Sequence, residues 1–178
     1  MTRLRNLFLA CLCTAALIST GCSLDVNTDT PNDNDPPTAI ISGGESARVT
    51  RIIDGDTIDV EINGVGYRVR YVGVNTPESD QPCYEAATNA NAALVEGKTV
   101  MLVRDVNNTD QYGRLLRYVY VNGEFVNAEL VAEGWAEAVE YPPDTAQADY
   151  FHSLEVNARI QRIGCHPSGV FNDNSDTR

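Results

Sequence analysis

Three short segments of this 178-residue chain carry side chains able to work on a phosphate ester. Ile53-Asp54-Gly55-Asp56-Thr57 offers a carboxylate at the start of a strand. Arg70-Tyr71-Val72-Gly73-Val74-Asn75-Thr76-Pro77-Glu78 offers a guanidinium, an amide and a second carboxylate around the end of another strand. Asp110-Gln111-Tyr112-Gly113-Arg114 sets an arginine just after a Tyr-Gly turn. Oxygen ligands of this kind suit a hard cation such as calcium or magnesium. A carboxylate can deprotonate water, and guanidinium groups can hold a phosphate whose charge grows in the transition state. Taken singly, each residue has an ordinary structural use. Asp56 fits a hairpin turn, Arg70 one half of a cross-strand ion pair, Glu78 a charged loop after proline, and Tyr112-Gly113 a turn. Their joint occurrence is what points to a site.

The elements that must position these residues are legible as patterns. Ala47 to Ile53 and Thr57 to Ile62 are β-branched runs flanking a turn signal. Asn63-Gly64 leads into Val65 to Val74, whose alternation puts Tyr67, Val69 and Tyr71 on one face and Arg68, Arg70 and Val72 on the other. An Ala- and Glu-rich stretch from Cys83 to Glu96, stopped at Gly97, predicts a helix. Thr99 to Val106 and Leu115 to Val121 predict two further strands. Asn127 is expected to cap a short helix ending at Gly134, and Pro142-Pro143-Asp144 to open a last helix to about Ile163, with Phe151, Leu154 and Ala158 as its buried stripe. The order predicts an α+β, mainly β, domain: an OB-like five-stranded antiparallel Greek-key barrel with about three helices packed at its side. Such barrels bind oligonucleotides or oligosaccharides.

With these motifs in this order, residues 46 to 163 resemble the staphylococcal nuclease (thermonuclease) family. The likeness rests on Asp-Gly-Asp-Thr at 54–57, Arg70 five residues before Asn-Thr-Pro-Glu at 75–78, and Asp-x-Tyr-Gly-Arg at 110–114. Val121-Asn122-Gly123, Val126-Asn127 and Leu130-Val131 to Gly134 continue it. The resemblance implies that Asp56, Asn75 and the carbonyl of Thr76 coordinate calcium and that Glu78 activates the attacking water. It also implies that Arg70 and Arg114 hold the phosphate and stabilise its pentacoordinate transition state. Tyr112 would contact the nucleotide, and Tyr141 lies near another tyrosine position of that kind. The implied activity is endonucleolytic cleavage of DNA and RNA, leaving 3′-phosphate ends. Asn75 departs from the pattern, since the family has a second calcium-binding aspartate there. An amide keeps an oxygen ligand but removes a charge, so weaker calcium binding is expected. On this reading Asn75→Asp would lower the calcium needed for half-maximal activity. Gln111 stands where a lysine is frequent. The alternative is an OB-like oligonucleotide-binding surface lipoprotein that keeps the fold without turnover; a third is a structural envelope lipoprotein.

The ends of the chain bear on location. Arg3 and Arg5 precede an apolar run from Leu7 to Ile18, and Ser19-Thr20-Gly21 precede Cys22. That is the pattern of a secretory signal, and the run is too short for a membrane span, which takes about 20 residues. Gly before Cys resembles a lipoprotein signal, with Ser19 in place of the usual leucine. Residues 1–21 are thus expected to be a signal peptide and Cys22 a lipidation site tying the protein to a membrane on the extracytoplasmic side; an unlipidated, secreted protein is the alternative. Residues 22–45, rich in Asp, Asn and Pro, are expected to be a tether, 46–168 the folded domain and 169–178 a flexible tail.

Charge argues against a generic nucleic-acid binder. Without Arg3 and Arg5, 11 basic residues face 25 acidic ones, a net charge of −14. Such a surface repels a polyanion, so activity on nucleic acid must come from a local site with a cation offsetting phosphate charge. Of the five cysteines, Cys83 and Cys165 remain for the folded domain. An even pair in an oxidising compartment predicts a disulfide, worth roughly 4 kcal/mol for so long a loop in the chain-entropy model.

Overall fold

The computed structural model describes residues 43–172; the expected signal, Cys22 and most of the expected tether, together with residues 173–178, lie outside the described residues. The strands are β1 (Glu45–Ile52), β2 (Thr57–Ile62), β3 (Val65–Tyr71), β4 (Val74–Asn75), β5 (Thr99–Val103), β6 (Leu115–Val121), β7 (Glu124–Phe125) and β8 (Glu137–Ala138). The helices are α1 (Tyr84–Val95), α2 (Val126–Ala132) and α3 (Ala148–Gln161), followed by a single 3-10 turn at His166–Ser168. None is long and apolar enough to cross a membrane.

β3, β2, β1, β5 and β6 hydrogen-bond in that order, and β6 returns to β3. This closes the expected five-stranded OB-like barrel and removes its sheet edges. Four of the pairings are antiparallel. The closing one, Val69–Tyr71 against Leu115–Arg117, is parallel, so the barrel is mixed where a fully antiparallel one was expected. Alternation explains the interior: Val49, Ile58, Val60, Val69, Tyr71, Leu102 and Val119 are buried, as inward positions of a two-residue period must be. α3 packs on the barrel core through buried Phe151 and partly buried Leu154, and Ala158 is buried on the same helix; α2 adds Leu130 and Val131.

Four sequence expectations change. The strand expected to run to Val74 stops at Tyr71, because Gly73 takes φ +76 and turns the chain into β4, which pairs with β8 in a separate two-stranded sheet. That turn lies so close to α3 that a Cβ at Gly73 would sit 2.7 Å from the Phe151 ring. Asn127 does not cap α2; fully buried, it accepts from Val119 N and donates to Val72 O, both at 2.9 Å, tying β6 to the turn after β3. Pro142 to Asp144 do not open the last helix, which begins at Ala148; they form a wall described below. At the end of the chain, Phe171 is buried with its ring 5.3 Å from His166, so packing extends into the segment expected to be tail. The Cys83–Cys165 disulfide is formed, with a Cα separation of 5.7 Å.

Candidate active site

The turn between β1 and β2 brings Asp56 to the mouth of the barrel. Asp56 is buried; its Oδ2 accepts from Thr76 N at 2.8 Å and from Thr76 Oγ1 at 2.9 Å, and its Oδ1 from Thr57 Oγ1 at 3.1 Å. Gly55 permits this approach: a Cβ there would meet the Thr76 side chain at 2.8 Å. From behind, α1 grips the turn, since Asn91 donates to Asp54 O at 2.8 Å and takes the Tyr71 hydroxyl at 2.9 Å.

Arg70, at the end of β3, folds back over the turn that follows it. Its Nη1 donates to Tyr71 O and Val74 O at 2.9 and 2.8 Å and lies 3.1 Å from Asp56 Oδ1; its Nη2 donates to Asn75 Oδ1 at 3.3 Å. With a side chain only 12% exposed, this guanidinium is preorganised before any substrate arrives. Asn75, buried in β4, uses its other end to donate from Nδ2 to Glu137 Oε1 at 2.9 Å.

The loop from Asp110 to Arg114 is closed on itself. Asp110 Oδ1 accepts from the N–H groups of Tyr112 and Arg114, and its Oδ2 takes Arg114 Nε at 2.6 Å. Burial raises the Asp110 carboxyl, but the Arg114 hydrogen bonds outweigh it and hold the group below the usual carboxylate range. Among the described residues Arg114 is engaged through Nε, which leaves both terminal amino groups for another anion; its guanidinium lies 5.5 Å from the centre of the Tyr112 ring. Tyr112 is 75% exposed, which suits stacking on a base.

These parts meet in a cleft of about 630 Å³ whose lining includes Arg70, Asn75, Glu78, Tyr112, Arg114 and Tyr141. Asp56 and Thr76 lie behind it, joined to it through Arg70 and Asn75. Glu78 is exposed, on a turn where Glu78 N donates to Gln81 Oε1 and Gln81 N to Glu78 O; among the described residues no group hydrogen-bonds to its carboxylate, so it is available to a water. The other wall is pinned by a residue that sequence patterns did not single out for the site. Buried Asp144 accepts from Val106 N, Asn107 N and Asn107 Nδ2 at 2.9, 2.7 and 2.7 Å, and thereby ties the Tyr141 segment to the loop leading into Asp110. Asp105 adds bonds from Tyr118 Oη and Ala146 N.

Along the chain Asp54 is only part of a turn, yet the fold couples it to Asp56. Its carboxyl is pushed up to about 6, first by burial and then by the neighbouring Asp56 charge. Crowded acidic charge of this sort is relieved by a cation. Asp56, the Asn75 amide and the Thr76 carbonyl are all oxygen donors, the chemistry a hard divalent cation requires. Among the described residues no three acidic, histidine or cysteine side chains form a cage by themselves. An ion here would therefore keep water or substrate oxygens in its shell, as such ions commonly do.

This constellation has counterparts elsewhere. The family described as "Staphylococcal nuclease homologue" matches residues 68–166, a span that holds Arg70, Asn75, Thr76, Glu78, Tyr112, Arg114 and Tyr141. The chain belongs to the staphylococcal nuclease family. It is 42% identical over 126 residues to a thermonuclease of Staphylococcus intermedius, covering 67% of this chain and 75% of that protein. To the endonuclease YncB of Bacillus subtilis (strain 168) it is 41% identical over 121 residues, 64% of this chain and 57% of that longer protein. A thermonuclease of Staphylococcus hyicus is 36% identical over 121 residues, with 65% and 72% covered. Within the family's frame, the structure joins Arg70, Glu78 and Arg114 in one cleft and places Asp56 and Asn75 at its back. Asp54, Asn91, Glu137 and Asp144 are the site's additions from the tertiary structure. Only Asp54 carried a local signal, a second carboxylate two residues before Asp56.

Proposed function

We propose that this protein is a calcium-dependent nuclease that hydrolyses DNA and RNA phosphodiester bonds endonucleolytically, leaving 3′-phosphate ends, on the extracytoplasmic side of a membrane. The observation that carries the activity is the convergence of Arg70, Glu78 and Arg114 on one cleft backed by the buried oxygens of Asp56 and Asn75. Convergence counts against the alternative of a binding surface without turnover, which has no need of a carboxylate lining the same cleft as two arginines.

The residues divide the work by their environments. Arg70, held by two carbonyls and Asp56, and Arg114, held by Asp110, present N–H groups to the non-bridging oxygens of one phosphate. Both contacts strengthen as negative charge grows on those oxygens. Glu78 takes a proton from water; the water oxygen bonds to phosphorus, and the bond from phosphorus to the 5′ oxygen breaks. The leaving oxygen takes a proton from solvent, and the phosphate stays on the 3′ side. Calcium, when bound by Asp56, Asn75 and the Thr76 carbonyl, would supply positive charge beside the phosphate, a need made acute by a net charge of −14 beyond the leader. Tyr112 and Tyr141 border the cleft where a base and sugar would lie.

The compartment is inferred from the leader pattern ending at Cys22. The Cys83–Cys165 disulfide is in keeping with it, since such bonds persist outside reducing compartments. The test is cleavage of DNA and RNA by the full chain with calcium and with chelator, beside Glu78→Gln. Calcium-dependent cleavage that drops by about 100-fold or more in the variant is expected. A folded, disulfide-intact protein inactive at millimolar calcium would return the binding-surface reading. Palmitate labelling that persists in Cys22→Ser would refute lipidation there.

A further inference from the structure

Asn75 lacks the charge of the family's aspartate, and the structure places another carboxylate against it. β4 and β8 form a two-stranded antiparallel sheet of their own, in which Asn75 stands directly opposite Glu137. Asn75 Nδ2 donates to Glu137 Oε1 at 2.9 Å, and both residues are buried. The other end of the same amide, Oδ1, accepts from Arg70 Nη2 at 3.3 Å, while Arg70 Nη1 lies 3.1 Å from Asp56 Oδ1. One guanidinium therefore contacts the oxygens of both Asp56 and Asn75, with Glu137 on the far side of the amide.

An amide offers two donors at one end and an acceptor at the other. A carboxylate beside the nitrogen fixes which end faces the site, because Oδ1 in that place would face an acceptor. It also polarises the amide, so that the opposite oxygen becomes a better ligand for a cation. A buried glutamate is costly to retain unless opposite charge or hydrogen bonding compensates it. The Glu137 carboxyl group sits one hydrogen bond behind a position that lacks the family's charge.

We propose that Glu137 is a positioning residue of the cation site: it orients Asn75 with its oxygen toward Arg70 and Asp56 and supplies, through that amide, the negative charge that residue 75 does not carry. The inference rests on the reading of Asp56, Asn75 and Thr76 as calcium ligands. It alters what Asn75→Asp does, because that change sets a new carboxylate against Glu137. The single variant should lose thermal stability in chelator, whereas the swap Asn75→Asp/Glu137→Gln conserves the charge and reverses only the direction of the hydrogen bond.

The deciding measurement is calcium titration of the full chain by calorimetry, with melting temperatures in chelator alongside. Wild type should bind calcium and Asp56→Asn should not. Glu137→Gln should weaken binding about tenfold or more, as loss of an outer partner of a ligand does, and the swap should recover most of that loss. Unchanged calcium affinity in Glu137→Gln, or a swap as weak as the single variant, would overturn the role given to Glu137 while leaving the calcium site standing. A wild type that takes up no calcium would sink both. Should Glu137→Gln fail to fold, the swap decides alone: near-wild-type affinity supports the inference, and weak binding refutes it.

Discussion

Asp54 and Asp56 share one short turn, and their nearness sets a pH dependence. Asp54's carboxyl rises from 3.8 to about 6, by burial first and the Asp56 charge second. An acid raised in this way binds more protons folded than unfolded between those two values, so its contribution to stability is present below the lower one and is lost as pH rises through the upper. In chelator, Asp54→Asn should therefore raise the melting temperature at pH 7 and bring little gain at pH 4; no gain at pH 7 would show that the two carboxylates do not strain the turn. The arginines call for a different test. Arg70 spreads two terminal nitrogens over four acceptors, a fork that an ammonium group cannot reproduce. Arg70→Lys should lower kcat by about 100-fold or more, the scale of losing one transition-state donor, with KM changed less. Steady-state kinetics in saturating calcium would show it, and a loss confined to KM would recast Arg70 as a ground-state contact.

Among the elements, the β1–β2 turn and the wall at 141–147 place the chemistry, and each depends on one residue. Gly55→Ala would drive a methyl group to 2.8 Å from the Thr76 side chain, so the turn must move away from Thr76. A cost of about 1–3 kcal/mol, typical of overpacking, is expected in denaturant unfolding, with weaker calcium binding because Asp56 shifts with the turn. Asp144→Ala would strip three hydrogen bonds from the 106–107 backbone and the Asn107 side chain. Leaving those groups without an acceptor should cost about 1–3 kcal/mol and raise KM through the displaced Tyr141 wall. An unaltered KM would show that the wall does not touch substrate. Neither dependence was readable beforehand: Pro142-Pro143-Asp144 has the look of a helix start, and the partner of Asp144 is 37 residues earlier in the chain. The helix itself kept its expected stripe at Phe151 and Ala158, with Leu154 only partly buried and Glu155 buried beside it, because a 3.6-residue stripe is a local property.

Across the whole molecule, the barrel and its outer helices are stapled by Cys83–Cys165, which joins the start of α1 to the segment after α3. Mild reduction should lower stability by about 2–5 kcal/mol. It should also reduce activity near the melting temperature of the reduced form more than at low temperature, since α1 holds the Asp54 turn through Asn91. Equal thermal activity profiles for the two redox states would show that the bond serves only the periphery.

Short motifs and the two periods by themselves made the family and the barrel class legible, and an even cysteine count did the same for the disulfide. The roles expected of Arg70, Glu78, Arg114 and Asp56 are what the family resemblance of those motifs implies. Tertiary structure alone decided the parallel closure of β3 on β6, the charge strain at Asp54, the grip of Asn91, the latch of Asp144 and the pairing of Asn75 with Glu137. Asn75 and Glu137 are 62 positions apart, and nothing local in either segment announces the other. They meet because Gly73 ends one strand early and turns β4 toward β8, so the charge of the site is set by a contact that no pattern along the chain records.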